Sequence, residues 1–78
     1  MSAFEQVQAT LAATLKVAPD SVQPDTRDED LEAWDSLGHV KLIMALEHAF
    51  DIYIEVDDFG ELKSVPAILA YLQKQGVS

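Results

Sequence analysis

Residues 35–50 read DSLGHVKLIMALEHAF, and this stretch predicts the central helix of the fold. Its apolar side chains lie around much of the helix circumference, which is typical of a helix that contacts neighbours on more than one side. Asp35 and Ser36 stand at its start, where aspartate and serine are the preferred N-caps. We therefore expect a central helix with one apolar edge left for a partner.

Helical patterns also stand at both ends of the chain. Ser2 and Glu5 form a capping-box pattern, and the apolar spacing after them predicts a helix over about residues 2–16. Near the other end, Ser64 is placed to cap a last helix with Pro66 in its first turn, where a missing N–H is harmless.

Two connections join these three helices. The first, residues 17–35, is long, acidic and contains two prolines, and its Val22 and Leu31 are candidates to hold it to the core. In the second, residues 52–56 (IYIEV) have strand-forming side chains but no second strand to pair with, so we expect a loop followed by a short helical turn over residues 57–61.

The resulting prediction is an all-α four-helix bundle, with three main helices, one short helix and a long first loop. We expect a single domain over residues 1–78, since the sequence contains no repeat and no second pattern. A domain of this size has a small core, which disfavours a deep, water-excluding active site.

Composition excludes several classes of partner and compartment. Fourteen acidic residues against five basic ones give a net charge of −9, which repels nucleic acid and anionic lipid and favours basic partner proteins. No apolar stretch approaches the ~20 residues that span a bilayer, and no signal-peptide pattern is present. With no cysteine in the sequence, we expect a soluble, cytoplasmic protein that binds neither membrane nor nucleic acid.

Ser36 admits two interpretations. It can be a simple cap, or it can be a site of modification that follows a long loop and is therefore reachable by an enzyme. The first turn of a helix offers unpaired N–H groups and a positive dipole end, which suit an anion such as a phosphodiester.

The sequence EDLEAWDSLGHVKLIMALEHAFDIYI, residues 29–54, resembles the attachment region of acyl carrier proteins and of the related peptidyl and aminoacyl carriers. The resemblance covers nearly the whole chain. It implies that a phosphopantetheinyl transferase attaches a 4′-phosphopantetheine arm to Ser36 from coenzyme A, and that Asp35 assists. The arm would hold an acyl or aminoacyl group as a thioester, so the protein would be a carrier and not a catalyst.

The same resemblance implies further partners and a surface for them. The partners are an acyl- or aminoacyl-loading ligase and a downstream transferase or synthase. They would dock on the central helix, at Leu37, Val40, Lys41, Met44 and Glu47. The alternative for the three apolar residues is core packing, and for Glu47 a solvated charge. Trp34 is either a packing residue at the end of the bundle or an aromatic partner contact.

The chain departs from the common fatty-acid carrier pattern, which has an acidic docking helix and a glycine two residues before the aspartate. Here that glycine is replaced by Ala33, and Gly38, Lys41 and His48 stand where acids are common. We therefore expect a carrier in a specialised biosynthetic pathway, with a cargo that the sequence does not identify. The alternatives are a general fatty-acid-synthesis carrier and a non-carrier acidic helical adaptor in which Ser36 is only a cap.

Two other chemistries are suggested by short spacings and rejected. Ser36, His39 and Asp35 are close in sequence, but a hydrolase also needs an oxyanion hole, a pocket and a nucleophile turn, so His39 and His48 are expected at the surface.

Asp28, Asp30 and Glu32 alternate like the first ligands of an EF-hand. The glycine of such a loop is replaced by Ala33, and its final glutamate by His39. No tight metal site is predicted.

Overall fold

The computed structural model describes residues 2–77, which contain three α-helices and three 3₁₀ segments, the longest of which is a six-residue 3₁₀ helix. The helices are α1 (Ala3–Leu15), α2 (Ser36–Phe50) and α3 (Val65–Lys74), and the 3₁₀ helix Val56–Glu61 lies between α2 and α3. The predicted all-α bundle of three main helices, one short helix and a long first loop is confirmed. Within residues 2–77, no helix is both long enough and apolar enough to cross a bilayer.

Side-chain caps fix the starts of α1 and α3 at the predicted residues. The Glu5 N–H donates to Ser2 Oγ at 3.1 Å, and the Ser2 N–H donates to Glu5 Oε1 at 3.0 Å. This backbone bond from Ser2 lowers the pKa of Glu5 below its usual value. At α3, the Ala67 N–H donates to Ser64 Oγ at 3.1 Å, and Pro66 lies in the first turn.

The core lies between the three helices, and α2 contributes to it along most of its length. Leu42, Ile43 and Leu46 of α2 are buried and belong to one core cluster with residues of α1, α3 and both connections. The remaining buried members of this cluster are Val7, Leu11, Leu15, Val22, Trp34, Ile54, Leu62, Val65, Ile68 and Leu72.

The long first connection follows a defined path because polar contacts hold its backbone. It contains two short 3₁₀ turns that the sequence did not predict, Pro19–Ser21 and Asp28–Asp30. The Gln8 side-chain amide donates to the carbonyls of Pro19 and Val22, at 3.0 and 2.9 Å. Val22 is fully buried, as predicted.

An antiparallel bridge attaches the same connection to the start of α3. The Asp28 N–H donates to the Lys63 carbonyl and the Val65 N–H donates to the Thr26 carbonyl, both at 2.8 Å. Thr26 is buried, and its Oγ1 accepts from the Gln23 N–H at 2.7 Å. The bridge places Asp28 and Lys63 on the same side of the molecule as the start of α2, where they line one cleft.

A pair of truncations on α2 tests this division between core and surface. Leu46 is 1% exposed and Met44 is 58% exposed. We expect Leu46→Ala to lower the free energy of unfolding by about 2–5 kcal/mol, because it removes a buried side chain and leaves a cavity. Met44→Ala should change it by less than about 0.5 kcal/mol. Urea denaturation followed by circular dichroism measures both, and similar losses for the two variants would contradict this packing.

Candidate functional site

Asp35 is the N-cap of α2, and Ser36 is the first residue of the helix. The Asp35 Oδ1 accepts the Gly38 N–H at 2.8 Å, and the Asp35 carbonyl accepts the His39 N–H at 2.8 Å. Asp35 is thus the N-cap of α2, although both Asp35 and Ser36 are residue types that can cap a helix. The Ser36 side chain is exposed and is not used as a cap.

The position of Ser36 suits a group that carries negative charge. The first turn of an α-helix is the positive end of its dipole, and an anion is favoured there by roughly 0.3–1 kcal/mol at a surface site. Because Ser36 is exposed and belongs to this first turn, an anionic group on its hydroxyl would lie at the positive end of the helix.

A cleft of about 450 Å³ adjoins Ser36 on the side of the second connection. It lies between the start of α2, the turn at Asp28 and the end of the 3₁₀ helix. The residues that line it are Asp28, Trp34, Asp35, Ser36, His39, Val40, Phe59, Gly60 and Lys63. The cleft therefore gives a group attached to Ser36 a surface with both charged and apolar side chains.

His39 lies inside the fold, so its predicted surface position is wrong. Its side chain is 8% exposed, and both ring nitrogens have partners. The Trp34 indole N–H lies 2.9 Å from Nδ1, and Nε2 lies 2.7 Å from the Phe59 carbonyl oxygen. The sequence carries no signal for this, because Phe59 is twenty residues away and the Trp34 contact depends on how the connection enters the helix.

Trp34 is also buried, with 4% of its surface exposed. Trp34 is therefore a packing residue, and its prediction as a partner contact is wrong. Its ring belongs to the core cluster and stacks at 22° to the His39 ring. A side chain that is this deeply buried cannot contact a partner protein unless the bundle opens.

Gly38 marks the closest approach of the first connection to α2. A Cβ at this position would collide with the Ala33 carbonyl oxygen and press on the Leu15 side chain. The residue is buried, so a larger side chain could not turn outward without moving the connection. This contact is a physical reason why the chain has glycine where an acidic residue is common in fatty-acid carriers.

The apolar residues assigned to partner contacts lie on an exposed face of α2. We call Leu37, Val40 and Met44 the apolar face; they are 65%, 47% and 58% exposed. Tyr53 and Val56, in the connection after α2, are also exposed and apolar, and the sequence pattern does not predict them as partner contacts.

Of the other α2 residues, Lys41 and His48 are exposed and Glu47 is half-buried. The Glu47 Oε2 accepts the Ile54 N–H at 2.9 Å, so this carboxylate holds the second connection against the helix. The acidic residues lie almost entirely in the two connections, since α1 has only Glu5, α2 only Glu47 and α3 none.

The EF-hand-like spacing does not produce a cation loop. Asp28 and Asp30 lie in a 3₁₀ turn, and the Asp30 Oδ2 accepts the Arg27 N–H at 2.9 Å. No group of three or more histidine, aspartate or glutamate side chains within residues 2–77 is placed to hold a metal ion.

Comparison with known proteins identifies relatives along nearly the full chain. Residues 5–72 match the family described as "Phosphopantetheine attachment site". The chain is 40% identical to an acyl carrier protein of Helicobacter hepaticus, over 94% of this chain and 96% of that protein. It is 40% identical to one of Campylobacter hominis, over 94% and 92% of the two chains. It is 36% identical to one of Bdellovibrio bacteriovorus, over 97% of each.

The tight contact at Gly38 can be tested directly. We expect Gly38→Ala to lower the free energy of unfolding by about 1–3 kcal/mol, because the added methyl group overpacks the contact with Ala33. Gly60→Ala is the matched control, since a Cβ there meets no atom within 4 Å. Thermal and urea denaturation compare the two variants with the parent protein. A neutral Gly38→Ala would show that the connection does not lie against the helix.

Proposed function

Since the chain belongs to the acyl carrier protein family, we propose that Ser36 is the residue to which its 4′-phosphopantetheine group is attached. Members of this family are carriers and not enzymes. They work with phosphopantetheinyl transferases and with enzymes that handle acyl groups, so the alternative of an adaptor without a prosthetic group is set aside. The bound group supplies a flexible arm with a terminal thiol that holds the cargo as a thioester.

The exposure of Ser36 is the observation that carries the assignment. The residue is exposed, lies at the positive end of α2 and opens onto the cleft. In the attachment step, Ser36 Oγ forms a bond to the phosphorus that carries pantetheine in coenzyme A. The P–O bond to the adenosine bisphosphate breaks, and the hydroxyl proton passes to a base on the transferase.

Asp35 assists this step from the adjacent position. Within residues 2–77, its Oδ1 accepts the Gly38 N–H, and its Oδ2 has no hydrogen-bond partner. The residue is exposed, so Oδ2 is accessible to the transferase. Because the cap fixes Oδ1, the Asp35 carboxylate is held in one orientation at the residue before Ser36.

The partner surface consists of the apolar face of α2 together with Lys41 and Glu47. Partner enzymes must reach the Ser36 arm, and the apolar face begins at the next residue, Leu37. Glu47 contributes through the oxygen that Ile54 does not use. Trp34 is not included, because it is buried.

The charge of this surface supports a carrier of a specialised biosynthetic pathway, which receives an amino acid or an unusual acyl group from a dedicated ligase. Lys41 and His48 are exposed on α2, and Lys41 forms no ion pair within residues 2–77. Lys41 would repel a partner enzyme whose docking surface is basic because it normally binds an acidic helix. A downstream transferase or synthase of the same pathway would then take the cargo.

Ser36→Ala tests the attachment residue. We expect the wild type to gain one phosphopantetheine by mass spectrometry after incubation with coenzyme A and a broad transferase. Ser36→Ala should gain none and should unfold within about 0.5 kcal/mol of the wild type, because Ser36 is exposed and is not the cap.

Ser64→Ala is the control for a serine that has a purely structural contact. It removes the α3 cap and should cost ~1 kcal/mol while leaving the modification complete. Modification of Ser36→Ala would refute the assignment of this residue.

Lys41→Glu tests the specialised pathway. Enzymes of fatty-acid synthesis should use the wild-type carrier poorly. Lys41→Glu should raise its rate of loading by about two- to fivefold at low salt, as expected for one exposed charge pair.

Lys74→Glu makes the same change of charge on α3 and should not raise the rate. Efficient loading of the wild type by these enzymes would instead favour the general fatty-acid carrier.

A further inference from the structure

A buried histidine joins three parts of the chain around the Ser36 cleft. The Trp34 indole nitrogen has only a proton to offer, so His39 Nδ1 must be the acceptor in the 2.9 Å bond. The ring proton is therefore on Nε2, which donates to the Phe59 carbonyl at 2.7 Å. These two bonds define a neutral imidazole that connects the loop before α2, the helix itself and the 3₁₀ helix.

An apolar side chain at position 39 could not replace the hydrogen bonds of this imidazole. The indole N–H of Trp34 is buried with its ring, and an aliphatic residue at position 39 would leave it without a partner. An unpaired buried donor is unfavourable, and the Phe59 carbonyl would keep only the 3.2 Å bond from the Leu62 N–H. The burial of His39 is therefore tied to a specific pair of bonds and not to general packing.

The contacts of His39 connect the residues before Ser36 with those after it. Trp34 comes two residues before Ser36, and His39 comes three residues after it. The His39 backbone N–H donates to the Asp35 carbonyl, while its ring accepts from Trp34. Residues 34–39 thus form a unit with the exposed Ser36 in its first helical turn, and the hydrogen bonds between its members involve Asp35 or His39.

We propose that His39 is the positioning residue of this site: by joining Trp34 to Phe59 it holds the Ser36 hydroxyl in the orientation that the transferase requires. The inference rests on the proposed attachment at Ser36. His39 does not touch the reacting atoms. It acts through the backbone of Trp34 and Asp35 and through the position of the cleft wall at Phe59.

The test compares transferase kinetics in variants that remove one link at a time. His39→Ala should lower kcat about tenfold and leave KM for the carrier within about twofold, because the apolar face on which the transferase docks is unchanged. His39→Gln should recover most of the rate, since its amide can accept from Trp34 and donate to Phe59. Trp34→Phe removes the indole donor together with part of the buried ring, and it should lower kcat to a similar extent.

A double variant separates positioning from loss of stability. Trp34→Phe combined with His39→Ala should be no slower than either single variant, because both remove the same bond. Tyr71→Phe is the matched control: it removes the Tyr71 hydroxyl bond to Asp58 Oδ2, which also holds the 3₁₀ helix, and it should not change the rate. All rates are measured at a temperature at which circular dichroism shows each variant folded.

A second readout does not depend on modification at all. The chain has one tryptophan, so its indole N–H gives a single proton resonance in NMR spectra. That resonance should shift and exchange faster with solvent in His39→Ala, and it should stay protected in Tyr71→Phe.

The outcomes distinguish the two proposals. A wild type that is not modified at Ser36 counts against the attachment site itself. A wild type that is modified, with His39→Ala equally fast or with additive losses in the double variant, overturns the role of His39 alone.

Discussion

The backbone of the first connection lies directly against the first turn of α2, and the geometry of the site depends on this contact. Gly38 permits it, because any side chain there would collide with the Ala33 carbonyl oxygen. In common fatty-acid carriers a glycine stands two residues before the aspartate, whereas this chain has Ala33 there. In this chain the glycine at the contact is Gly38, which belongs to the helix and not to the connection. Asp35 then closes the turn, and Ser36 is left free on the outer side.

The sequence predicts those parts of the fold that depend on neighbouring residues. Capping by Ser2 and Ser64 and the apolar pattern of α2 act over a few positions, so the helix positions were predicted well. The path of the first connection was not predicted. It depends on the Gln8 amide and on the bridge near Thr26, whose partners are distant in the chain and have no local pattern.

The same distinction applies to the site. Ser36 is proposed as the attachment residue because its surroundings form a recognisable local motif, and its exposure agrees with that proposal. The interior position of His39 was missed, because a single polar residue in a helix resembles a surface residue until its partners are known. Trp34 left two alternatives open, since burial of an aromatic ring at a loop is decided by tertiary contacts.

Charge and apolar area are separated on this protein. The acidic residues lie mostly in the two connections, while the exposed side of α2 carries the apolar face and Lys41. In the proposed function, the connections would supply a long-range field that attracts basic proteins, and α2 would supply the short-range contacts that discriminate among them. A carrier needs this combination, because it meets several enzymes in turn and must leave each of them.

The bridge between the first connection and the start of α3 has a consequence for synthesis on the ribosome. Thr26 and Asp28 find their backbone partners only when Val65 and Lys63 are present, and ordering the intervening chain costs loop-closure entropy until then. The wall of the cleft at Phe59 belongs to the same late segment. A nascent chain that has emerged only as far as α2 therefore displays the serine on an incomplete domain, and the completed surface forms only after Lys63 and Val65 have left the exit tunnel.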